Sequence, residues 1–165
     1  MKGYLLDTNI CIFAFRGEYG ISNRMRQYGE GCCYVSDVTV MELRYGAYKS
    51  AKTQENLTIV NDFLKKVKIV PLADTIDIFC QEKIRLERLG KKLEDYDLFI
   101  GCAAKARGLV MVTDNVKHFD RIDGLTIENW VERQPLKQQI DDEETNPSTH
   151  DDAPADGGGG RESGD

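Results

Sequence analysis

The sequence predicts an α/β fold, a parallel sheet covered on both faces by helices. Two observations predict it. Short apolar runs of strand length recur along the first 130 or so residues, and amphipathic segments long enough to be helices separate most of them.

Taken in order, "YLL" (4–6) is the first strand, and the apolar residues Ile12, Phe13, Phe15 and Ile21 that follow belong to early helices. "CCYV" (32–35) is the second strand. Residues 38–50 place Val40, Leu43, Ala47 and Tyr48 on roughly one helical face, with Ser36 positioned to cap them. Residues 53–66 gather Leu57, Val60, Phe63 and Leu64 behind Thr53 as a cap; "VKIVPL" (67–72) is the third strand. Residues 74–89 align Ile76, Phe79, Ile84 and Leu86 behind Asp74. A further helix over 96–107 stops at Gly108, a residue suited to the left-handed conformation that ends helices. "LVMVT" (109–113) and "LTIEN" (125–129) complete the strands.

At 165 residues the chain is long enough for one domain with a real core. Its net charge of −6 is unevenly spread: nine of the 28 acidic residues but only two of the 22 basic ones fall between Lys137 and Asp165. The body is therefore near neutral, and an acidic total does not exclude a nucleic-acid partner. Residues 135–165, with one isoleucine, no aromatic side chain and a run of four glycines, are expected to be a disordered acidic tail behind a domain at 1–134. The five cysteines have no metal-type spacing and four sit among apolar residues, which predicts reduced thiols in the cytoplasm. No apolar stretch approaches the ~18 residues of a membrane span, and no secretory segment follows Met1-Lys2.

Ligands of parallel α/β sheets bind beyond the carboxyl ends of the strands. Asp7 ends the first strand and Asp114 follows the fourth; Glu42 sits early in the helix after the second, and Asp97 starts the almost wholly apolar helix "LFIGCAA". Each has a plain structural alternative: a helix cap for Asp7 and Asp97, an arginine partner for Glu42, a turn at Asp114-Asn115. As a set, four carboxylates at one sheet edge repel one another, and a divalent cation removes that repulsion. Oxygen-only ligation selects Mg²⁺, with Mn²⁺ as substitute, over zinc.

In "YLLDTNI", "VSDVTVMELRYGA" and "YDLFIGCAAKARGLVMVTDNVKHFDRIDGLTIENW" the chain resembles PIN-domain ribonucleases, and within them the VapC-type toxins of toxin–antitoxin pairs. The resemblance spans about residues 2–131. It implies a PIN-like three-layer fold with a central, mostly parallel sheet flanked by helices, and a Mg²⁺-dependent endoribonuclease. Asp7, Glu42 and Asp97 would be metal ligands and Asp114 a further or water-bridged one, with Thr8, Asn9 and Thr113 orienting water or phosphate. The ending "GLTIENW" is similar to members that cleave tRNA, notably initiator tRNA. The resemblance also implies an antitoxin that covers the site and often inserts an arginine, its groove drawn from Ile12, Phe13, Phe15 and Ile21, and a homodimer or toxin–antitoxin hetero-oligomer. Three departures stand out. Glu94 and Asp95 precede Asp97 where neutral residues are common, Asp114 stands where relatives often carry asparagine, and Gly101-Cys102 replace alanines, a change expected to concern packing.

RNA requires positive charge. Lys83, Arg85, Arg88, Lys91 and Lys92 cluster before Asp97, and Arg44, Lys105, Arg107, Lys117 and Arg121 are further candidates; the alternative for the cluster is a solvated face of paired charges. Two competing classes remain: a phospho-acceptor (receiver-like) signalling domain, and a catalytically silent RNA- or protein-binding module. The first lacks the usual adjacent acids after its first strand.

Overall fold

A computed structural model describes residues 1–133, so the tail expected over 135–165 lies outside the described residues. Strands β1 (Tyr4–Leu6), β2 (Cys33–Ser36), β3 (Lys68–Val70), β4 (Val110–Val112) and β5 (Ile127–Glu128) form one sheet in the order β3-β2-β1-β4-β5. Every pairing is parallel, with Tyr4 opposite both Cys33 and Val110 and Leu6 opposite Val112. The helices are α1 (Thr8–Phe15), α2 (Ile21–Tyr28), α3 (Asp37–Lys49), α4 (Thr53–Leu64), α5 (Ile76–Arg88), α6 (Asp95–Ala106) and the single turn α7 (Val116–Phe119).

Strand side chains alternate between faces, and the core divides accordingly. Leu6 and Val112 point into one apolar cluster with Ile10, Ile21, Leu43, Val60 and Phe63 from α1–α4. Leu5 and Met111 point into another with Leu86, Leu98, Ile100 and Phe119 from α5–α7. Helices thus cover both faces, giving the three layers expected.

The element boundaries shift for local reasons. Residues 30–32 form a 3₁₀ turn, so β2 begins at Cys33. β3 stops at Val70 because Pro71 has no N–H to donate to a ladder, and the Leu72 amide donates instead to Asp37 Oδ2 at 2.8 Å. Asp74 does not cap α5; it ends a 3₁₀ turn and pairs with Arg107. Nor does Thr53 cap α4, since its hydroxyl donates to the Ser50 carbonyl at 2.9 Å. Ser36 does cap α3, accepting the Thr39 amide at 3.1 Å. Gly108, at φ +59°, ends α6 as expected.

Candidate active site

The site begins where β1 ends. The Asp7 amide still donates to the Val112 carbonyl at 2.9 Å, which fixes its backbone to the sheet. Its extended conformation makes it the N-cap of α1, with Oδ1 accepting the Thr8 amide at 2.8 Å. Its Oδ2 accepts the Thr113 hydroxyl, also at 2.8 Å, and that hydroxyl in turn accepts the Asn115 amide at 2.9 Å. Asp7 and Thr113 therefore leave the two adjacent central strands where the strand order turns from one side of β1 to the other. That is the topological switch point, the expected ligand crevice of an open parallel sheet.

Thr8 joins the second acid to the first. Its amide serves Asp7 while its hydroxyl donates to Glu42 Oε1 at 2.7 Å. The same hydroxyl lies 3.1 Å from Thr39 Oγ1, itself 3.3 Å from Ser36 Oγ, so the capping serine of α3 ends a buried hydroxyl relay that orients Glu42. Asp97 lies in the first turn of α6, its Oδ2 3.3 Å from His118 Nδ1, and that nitrogen is 2.7 Å from Asn115 Nδ2.

Asp7 is 6% exposed. Burial pushes its carboxyl up from the ordinary 3.8 to about 6; hydrogen bonds from Thr113 and Thr8 oppose the shift, and the charges of Asp97 and Glu42 add to it. Three acids thus share one electrostatic site, with a buried carboxylate at its centre. Among the described residues no three His, Cys, Asp or Glu side chains close into a ready-made metal cage. The fit to a hard dication rests on the donors, which are carboxylate oxygens whose mutual repulsion a cation would relieve. Asp7, Glu42 and Asp97 meet that requirement.

Asp114 is placed differently. Both of its oxygens are taken by Arg133, Nη1 to Oδ1 at 2.9 Å and Nη2 to Oδ2 at 2.6 Å, an engagement the sequence did not predict. Asp95 is likewise committed, to Lys83 at 2.8 Å. Asn9 is exposed and, with Thr8, Ile12, Met41, Glu42, Tyr45 and Tyr96, lines a pocket of about 440 Å³ that reaches Glu42.

The basic candidates separate into two groups. Arg85 and Lys105 both grip buried Glu82 at 2.8 Å, Arg107 pairs with Asp74, and Arg121 donates to the Lys92 carbonyl at 2.8 Å, so these serve the fold. Arg88, Lys91, Lys92 and Lys117 are exposed, and Arg44 is half-buried. Sequence reasoning missed Thr39, Asn115, His118 and Arg133 as neighbours of the acids. The Ser36/Thr39 capping pattern and the place of Asn115 two residues after Thr113 were local signals; His118 and Arg133 reach the acids through tertiary contact.

An acid-lined crevice at the carboxyl edge of a five-stranded parallel sheet is the arrangement of a PIN domain, and the PIN domain family matches residues 4–125. The chain is 34% identical over 131 residues to the tRNA(fMet)-specific endonuclease VapC of Shigella flexneri, covering 79% of this chain and 99% of that protein. It is 36% identical over 133 residues to Ribonuclease VapC2 of Haemophilus influenzae, covering 79% and 100%. Among solved structures, the DNA-bound VapBC of Salmonella typhimurium superposes with a TM-score of 0.73 at 36% identity, over 79% of this chain and 99% of that one. The chain belongs to the VapC ribonucleases of the PIN-domain family.

Proposed function

We propose that this chain is a Mg²⁺-dependent endoribonuclease toxin that hydrolyses RNA phosphodiesters and is neutralised by a cognate antitoxin. The observation that carries the reading is Thr8, which binds Asp7 through its amide and Glu42 through its hydroxyl at the switch point of the sheet.

Asp7, Glu42 and Asp97 would hold Mg²⁺, or Mn²⁺ in its place. Such an ion supplies Lewis acidity, lowering the pKa of a water and offsetting charge on phosphate oxygens. The protein's own part is positional. Thr113 and the Thr8 amide fix Asp7, the hydroxyl relay fixes Glu42, and His118 flanks Asp97. Asn9, exposed at the pocket, is placed to orient a phosphate or water. Arg88, Lys91, Lys92 and Lys117 offer phosphate contacts, and binding through them weakens steeply with added salt.

The substrate we favour is tRNA, with initiator tRNA as the first candidate, because the Shigella relative is named for it. An antitoxin partner is supported by the VapBC complexes among the neighbouring structures. A second pocket, lined by Ile12, Phe15, Leu43, Ala47, Ile59 and Val60, reaches Glu42 and suits an apolar antitoxin segment. Of the groove residues named from sequence, Ile21 is fully buried in the core and unavailable, while Ile12, Phe13 and Phe15 are partly exposed. A homodimer or toxin–antitoxin hetero-oligomer in the cytoplasm fits this role; no helix among the described residues is long and apolar enough to cross a membrane.

The test is cleavage of purified tRNA by the full chain, with 5′ ends mapped, in Mg²⁺ and in EDTA, for wild type and Asp7→Asn. Discrete cuts that need Mg²⁺ and vanish in the variant are expected. Cutting that persists in EDTA or in Asp7→Asn overturns the mechanism.

A further inference from the structure

Arg133 lies beyond β5 in a segment that is tied down. Trp130, 1% exposed, donates its indole N–H to Glu128 Oε2 at 3.0 Å, and the Val131 amide donates to Asn129 Oδ1 at 2.9 Å. Glu132 pairs with Arg24 at 2.7 Å. These contacts deliver the Arg133 guanidinium to Asp114, where its fork occupies both carboxylate oxygens.

A second element braces the guanidinium from the other side. Its Cζ stands 5.8 Å from the centroid of the Tyr19 ring, a cation–π contact. Tyr19 is the non-glycine residue with positive φ, at 54°, among the described residues, and its ring packs edge-on against Phe13 at 4.9 Å. A left-handed tyrosine is disfavoured, and here the connection between α1 and α2 adopts that conformation where it sets an aromatic face beside Arg133.

We propose that Arg133, docked on Asp114 and braced by Tyr19, is a built-in counter-charge that takes the place of a second divalent ion, so that this chain binds one ion, on the Asp7–Glu42–Asp97 side. This deepens the nuclease reading above and rests on it. A guanidinium docked on both carboxylate oxygens neutralises Asp114 and repels a dication from the lone pairs that remain, and its charge is not lost by deprotonation. The Asp114–Arg133 pair is then electrically neutral and offers no ligand for a second ion. Arg133 is accordingly a positioning residue, and its signature is metal stoichiometry.

The experiment is calorimetric titration of the full chain with Mn²⁺. Wild type is expected to bind one ion, Arg133→Gln to gain a second binding event, and Arg133→Gln combined with Asp114→Asn to lose that second event. Fluorescence of the buried Trp130 reports whether each variant is folded. A wild type that binds two ions overturns the proposal without reference to any variant, as does a folded Arg133→Gln that still binds one. A wild type that binds none would instead remove the metal-dependent nuclease reading on which the proposal stands.

Discussion

Replacing Asp7 with asparagine should make the metal-free protein more stable while abolishing cleavage. Asp7 is 6% exposed and its carboxyl is pushed by burial from 3.8 to about 6, so ionising it in the folded state costs roughly 3 kcal/mol relative to ionising it in the unfolded chain. The sign follows from a raised acid pKa. Well below 3.8 neither state is ionised and nothing is lost. As pH rises toward and past about 6 the unfolded chain ionises more readily, and folding stability declines until the whole penalty is present. Asparagine never ionises; its oxygen can still accept the Thr8 amide and its NH₂ can donate to Thr113 Oγ1, although the Thr113 hydroxyl proton then gives up its acceptor, which trims the gain. Urea unfolding in EDTA, followed by the fluorescence of Trp130, the single tryptophan, measures the difference. The variant should exceed wild type by about 1–3 kcal/mol near pH 7.5, and that margin should be roughly 2 kcal/mol larger than near pH 4.5. Saturating Mg²⁺ should stabilise wild type by mass action and leave the variant unmoved. A variant less stable than wild type at neutral pH, or a margin independent of pH, would refute the picture of Asp7 as a strained, buried charge awaiting a cation.

Other perturbations separate the site from its scaffold. Thr8→Val keeps the amide that serves Asp7 but removes the hydroxyl on Glu42, 2.7 Å away; cleavage should fall by about 10–100-fold with a stability loss near ~1 kcal/mol, and an unchanged rate would deny Glu42 its orienting partner. In Gly101→Ala the new Cβ would stand 2.2 Å from Ile122 Cδ1 and 3.1 Å from Phe119 Cδ1, so urea unfolding should show a loss of about 1–3 kcal/mol. A loss near zero would mean that Ile122 swings aside freely. Glu82→Ala should cost about 1–3 kcal/mol at neutral pH by removing the shared acceptor of Arg85 and Lys105. Burial pushes the Glu82 carboxyl up, but the hydrogen bonds from Arg85 and Lys105 outweigh it and hold the group below the ordinary 4.5. The wild-type advantage should therefore stand above that value and fade as acid protonates the folded form, and a margin that grows in acid would contradict the pairing.

The parallel sheet was legible because short apolar strands alternate with helices: α3 to α5 show one apolar face each, and α6, apolar on most sides, is marked by its stop at Gly108. The range of α1 was not, because "TNICIFAF" is apolar on nearly every side and offers no period to read. Ser36 could be identified as a cap, since its partner Thr39 lies within one turn; Asp74 and Thr53 could not be excluded, because a tertiary ion pair and a backward hydroxyl bond drew them off. The same distinction governs the site. Asp7, Thr8 and Glu42 announce themselves by their place at strand ends and helix starts. The contact between Arg133 and Asp114, 19 residues apart, depends on how β5 and its following segment return across the sheet edge, and composition carries no trace of that.

The helix cap seen at Asp7 and the metal-binding role proposed for it are compatible in one arrangement. The extended backbone that caps α1 also aims the carboxylate into the switch point, and each oxygen, having accepted one protein hydrogen bond, keeps a further lone pair for a cation. Asparagine and alanine at this position should therefore differ. Asp7→Ala strips the acceptor from a buried Thr8 amide and the partner from a Thr113 hydroxyl with no exposed surface, so it should fall below Asp7→Asn by about 2–4 kcal/mol in the same EDTA unfolding series. Both should be inactive on RNA, one folded firmly and the other weakened. Equal stability of the two would show that the carboxylate holds nothing together, and that the cap and the charge are separable after all.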